Sequence, residues 1–109
     1  MWVFTTSGFV SAVYNDGALP VRARDRKSLA ALSQETGAEI IATPLADYPY
    51  RIAITTEQFA KWVEHQGKSV NYKNFKSEVA DTRGYGFAKA LNKVWSAMHD
   101  VEDEKARVR

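Results

Sequence analysis

The chain has no cysteine, three prolines and two histidines among 109 residues. The missing thiol excludes disulfides, thiolate catalysis and Cys-ligated zinc, and a reducing compartment is compatible with it. Charge of one sign is also lacking: 15 basic side chains face 13 acidic ones, for a formal net charge of +2. That balance does not diagnose a nucleic-acid or membrane partner, although a local patch of one sign is compatible with it. No apolar run approaches the roughly 20 residues that span a bilayer. "MWVFTTSGFVSAV" is apolar but has no basic leader and is interrupted by "TTSG". It reads as strands rather than a signal peptide, which sets a cytoplasmic expectation with no membrane partner.

What is present suits a core: 45% hydrophobic residues, with three Trp, five Tyr and five Phe. Disorder throughout is not expected on that composition. One α+β domain over residues 1–103 is expected, followed by a charged, frayed tail over 104–109.

The front of the chain reads as β. "WVFTT" and "FVSAVY" are β-branched and aromatic, separated by a short turn at Ser7-Gly8. Asn15-Asp16-Gly17 is a strong turn signal before a third strand, "LPVRAR". Pro20 donates no backbone hydrogen bond, so it belongs at a strand start or an edge. Asp25 is placed to cap the helix "RKSLAALSQET", which Gly37 ends. "AEIIAT" and "YRIAIT" read as strands four and five.

The back reads as helix. In "TTEQFAKWVEHQG", Thr55 and Gln58 fit a capping box, and Ile54 and Phe59 a hydrophobic staple. Phe59, Trp62 and Val63 form its apolar face. "YKNFKSEVA" is a shorter helix, with Phe75 and Val79 on one face. After "DTRGYG" a last helix starts near Phe87, with Phe87, Leu91, Val94, Trp95, Met98 and Val101 in one stripe.

The expected order is therefore β-β-β-α-β-β-α-α-α. It predicts a roughly five-stranded, mainly antiparallel sheet with helices on one face. Val21 to Gln66 matches part of a ferredoxin-like unit, with the N-terminal hairpin supplying extra strands. "TPLADYPYR" is the bend between strands four and five, since Pro44 and Pro49 bias Thr43 and Tyr48 toward extended backbone.

Strand alternation places Arg22 and Arg24 on the side of the sheet opposite Val21 and Ala23, and Arg51 opposite Ile52. Arginine binds carboxylate and phosphate through a planar fork and stacks on aromatic rings. With Asp47, Tyr48 and a Trp2 expected to be partly exposed nearby, the three arginines are the candidate binding surface. The plainer account is a solvated strand face, and no RNP-type motif accompanies them.

Other chemistry is weakly signalled. There is no His-Glu-x-x-His and no i,i+4 histidine pair. His99, Asp100, Glu102 and Asp103 read as a solvated helix end rather than a metal site. No motif frames a nucleophilic serine. "TRGYGFAK" lacks phosphate-loop spacing and reads as a connector between helices. "NYKNFK" mixes Lys73 and Lys76 with Tyr72 and Phe75, but at helical spacing the aromatics read as core. Trp62 and Trp95 lie on apolar stripes, so burial is expected for both. No cofactor, metal or catalytic residue is assigned.

Taken together, "WVFTTSGFVSAV", "VRARDR", "TPLADYPYRI", "NYKNFK" and "VWSAMHD" resemble a family of small bacterial and bacteriophage proteins of unknown function. The resemblance implies a stand-alone domain of bacterial or phage origin and supplies no activity or ligand. The leading expectation is a non-enzymatic protein that binds another protein, or itself as a homodimer through a sheet edge near Pro20 or Trp2. The first alternative is single-stranded nucleic-acid binding by the arginine-bearing face. The second is an enzyme on a small anionic substrate, with Asp47, Tyr48, Tyr50 and Arg51 near a pocket.

Overall fold

In a computed structural model, which describes residues 1–103, the expected α+β order is the observed one. Strands β1 (Trp2–Thr5), β2 (Gly8–Ala12) and β3 (Leu19–Ala23) precede helix α1 (Lys27–Thr36). β4 (Ile41–Ala42) and β5 (Tyr50–Ile54) follow, then α2 (Thr56–Lys68), α3 (Phe75–Arg83) and α4 (Tyr85–Ala97). A 3₁₀ turn, Met98–Val101, extends α4. The charged tail expected over 104–109 lies outside the described residues.

The five strands form one antiparallel sheet in the order β1-β2-β3-β5-β4. β3-α1-β4 is thus a split crossover with β5 inserted between its strands, as in half of a ferredoxin-like unit. β2 takes the place beside β3 that a fourth ferredoxin-like strand would fill, and β1 adds an edge.

Local chemistry sets the turns. Asn15 and Ala18 exchange two backbone hydrogen bonds of 2.9 and 3.0 Å, with Asp16 at φ 48° and Gly17 at φ 82° between them. Two consecutive positive φ values match the twist of a tight hairpin, and this residue pair tolerates them. The β1–β2 turn falls one residue earlier than expected. Thr5 faces Gly8, so Thr6 and Ser7 make the loop and Gly8 opens β2. Pro20 is the second residue of β3, at its start as expected, although β3 is the central strand. The fourth strand shrinks to two residues, because the prolines of the following bend bring the chain round early.

α1 and α2 cover one face of the sheet. Their Leu29, Leu32, Phe59 and Trp62 close over Val10, Ala12, Val21, Ala23, Ile52 and Ile54. The Thr55–Gln58 capping box starts α2 with bonds of 2.9 and 3.1 Å. α3 and α4 form an antiparallel hairpin with a small core of its own, Val79, Ala88 and Leu91. That core meets the sheet through Phe4, which points away from Val3 and the main core.

Burial departs from the sequence expectation at the end of α4. Trp62 is buried, but Trp95 is 57% exposed, as are Val94, Met98 and Val101 in large part. The stripe is continuous in sequence, but the sheet ends where its first turns do.

Candidate functional site

The residues singled out in the sequence come together on the sheet face turned away from α1 and α2. Register places Trp2, Ser11, Arg22 and Arg51 in one row across β1, β2, β3 and β5, with Ile41 of β4 at its end. The bend before β5 returns over this row. Thr43 and Pro49 close it through a backbone bond of 2.7 Å, and Thr43 Oγ1 donates to the Tyr48 carbonyl. The Asp47 carboxylate accepts from the Tyr48 amide at 3.0 Å, which fixes the turn.

Tyr48 is 6% exposed, and the guanidinium groups of Arg22 and Arg24 lie 4.5 and 4.1 Å from its ring centre. Each such contact is worth about 0.5–2 kcal/mol, depending on desolvation. Arg24 Nη1 also donates to the Asp47 carbonyl at 2.6 Å, and Arg22 Nη2 to Ser11 Oγ at 2.9 Å. Arg51 Nε donates to Thr43 Oγ1 at 3.2 Å. The Asp47 carboxylate stands 3.6 Å from Arg22 and 3.9 Å from Arg51, and is 69% exposed. Pairs this long and wet contribute about 0–1 kcal/mol. One carboxylate among three arginines leaves the cluster net positive.

Beside the cluster, a groove of about 360 Å³ runs between the sheet and α4. Trp2, Phe4 and Phe9 form its sheet wall, and Phe87, Leu91 and Val94 its helix wall. Phe9 stacks on Phe4 at 4.6 Å and meets the edge of Trp2 at 5.6 Å. Arg24 and Tyr48 stand at its rim, so groove and arginine cluster adjoin. An apolar concavity with a few polar groups is the usual form of a binding site, and its volume falls in the usual range of about 300–1,000 Å³.

Arg83, which no sequence pattern singled out, holds the helix wall in place. Its Nη1 donates to the Ser7 carbonyl at 2.5 Å, and its Nη2 to the Asp25 carboxylate. Asp25 in turn accepts from Ser28 Oγ at 2.5 Å and from the Ser28 amide at 3.2 Å. The Phe9 amide donates to Ser28 Oγ. Gly8, at φ 147°, lets these groups approach. A Cβ there would fall on Ser28 Oγ, and it would stand 2.7 Å from Arg83 Nη1. Burial raises the pKa of the Asp25 carboxyl, but the hydrogen bonds from Ser28 and then Arg83, with the charge of Arg83, outweigh it and hold it below its ordinary value.

The six candidate residues, Trp2, Arg22, Arg24, Asp47, Tyr48 and Arg51, therefore lie on one side of the sheet, with Tyr48 itself buried. Of the residues named for an enzymatic reading, Tyr48 lines the groove, while Asp47, Tyr50 and Arg51 do not. Tyr50 instead packs on the main core. His99 lies 2.5 Å from Glu102, and among the described residues no group of three or more His, Asp or Glu side chains is placed to hold a metal ion. No described helix is long and apolar enough to cross a membrane. Comparison with known proteins finds no match among family models, curated proteins or solved structures.

Proposed function

We propose that the chain is a non-enzymatic binding protein that recognises another protein through the Trp2–Arg24 face. A cytoplasmic setting and a bacterial or phage origin belong to the same proposal, the origin on the family resemblance alone. The observation that carries it is the juxtaposition of an apolar groove with an incompletely neutralised arginine cluster. Interface anchors are enriched in Trp, Tyr and Arg, and Trp2 stands 68% exposed at the mouth of the groove. The carboxylate that lines the groove argues against proton-transfer chemistry there. Asp25 is held as a carboxylate and already engaged by Ser28 and Arg83.

The test is a photo-crosslinking amino acid placed at Trp2 in living cells, with a second placement at exposed Glu57 on α2 as the control. A protein adduct specific to position 2, and lost with Arg24→Glu, is expected. Absence of any protein adduct sinks the reading. The row from Trp2 to Arg51 favours a second reading, single-stranded nucleic acid stacked across the sheet. It requires oligonucleotide binding that weakens steeply with salt and with Arg51→Glu.

A further inference from the structure

The groove does not end at Val94. A second depression, of about 380 Å³, shares Phe4, Leu91 and Val94 with it and is lined beyond them by Trp95, by Lys73 just before α3 and by Lys76 in its first turn. The two adjoin across these shared side chains, an apolar trough with a cation toward each outer end. At one end Arg24 is exposed and pre-oriented by Tyr48 and the Asp47 carbonyl. Of its five N–H donors, one is used there, so the rest of the fork is available. At the other end Lys76 Nζ lies 4.5 Å from the Trp95 ring centre and donates to Asn92 at 3.0 Å, with further protons to give. The acid along the trough, Asp25, is matched by Arg83.

Resting on the reading of the chain as a protein-binding module, we infer that this trough binds an extended segment of a partner protein whose apolar side chains are flanked on both sides by Asp or Glu. The elongated shape suits a peptide better than a small ligand, which one depression would satisfy. The charges at both ends select acidic flanks, and they disfavour basic ones by like-charge repulsion. Trp95 and Val94, left exposed by the end of the sheet, are covered by the bound segment.

The experiment is selection of random peptides displayed on phage against the whole chain, run in parallel against Arg24→Glu and Lys76→Glu. Lys76 is half-buried but its ammonium group reaches the surface at Asn92, so that variant folds even if Arg24→Glu does not. The expected result is enrichment of apolar pairs with acids on either side, and each variant abolishing the preference for acid at one flank. Affinity of a selected peptide is expected to fall on the order of tenfold with either charge reversal. Enriched peptides without acidic flanks, or variants that select the same peptides as wild type, overturn the inference while leaving the protein-binding reading in place. Displacement of the peptides by oligothymidylate overturns it in favour of nucleic acid. A wild-type dimer that Trp95→Glu dissociates overturns it in favour of a second copy. Failure of the reading itself shows separately, as the absence of any protein adduct at position 2.

Discussion

Helices α2 and α4 are both thirteen residues long, and each carries an apolar stripe at helical spacing. α2 buries its stripe against the sheet, with Phe59 and Trp62 closed in the main core. α4 buries Ala88 and Leu91 and then leaves Val94 and Trp95 at the surface. The same pattern thus serves as core in one place and as surface in the other. A periodic stripe records that a face is apolar, and what covers it depends on where neighbouring elements stop.

Three substitutions and one pH titration separate the two regions, in decreasing order of effect. Leu29 is fully buried in the main core. Leu29→Ala is expected to destabilise the fold by about 2–5 kcal/mol, as truncation of a packed leucine does. Urea denaturation measures it, and a loss below about 1 kcal/mol would mean that the main core is looser than described.

Arg83→Gln removes the charge that fastens the hairpin. A loss of about 1–3 kcal/mol is expected, with amide exchange rising in α3 and α4 before it rises in the sheet. The same clasp carries a pH signature. Because the folded pKa of Asp25 is depressed, its contribution to stability is full above its unfolded value, near 3.8, and is lost as pH falls through the folded value. The stability gap between wild type and Asp25→Asn should therefore be constant near neutrality and narrow below about pH 4. A gap that widens on acidification would contradict the geometry.

Trp95→Ser is the smallest. At an exposed site, a change within about 0.5 kcal/mol is expected from the same urea titration. A loss comparable to that of Leu29→Ala would show that α4 is covered after all.

Much of the fold was legible because its signals are local. The capping box at Thr55 and the Asn15–Gly17 turn depend on neighbours within a few residues, and both form where the sequence places them. Alternation put Arg22, Arg24 and Arg51 on one face, and the two prolines brought Asp47 and Tyr48 back over it. The groove was not legible. Its walls come from residues more than eighty positions apart, Phe4 and Leu91, and nothing local in either says they meet. Arg83 was missed for the same reason: "TRGYG" has the composition of a connector, and its partners lie at the other end of the chain. Trp95 misled because burial of a tryptophan on an apolar stripe is the usual outcome, and the edge of a sheet is invisible in the stripe itself.

The bond from Arg83 to Ser7 joins residues 76 positions apart. Contacts that close so long a loop carry a large entropy cost, so the hairpin is expected to dock after the sheet and its two helices and to detach before them, an order that amide exchange reports. The trough exists only while the hairpin is docked. A ligand held between Phe9 and Leu91 spans both pieces, and its binding free energy adds directly to the latch that keeps them together.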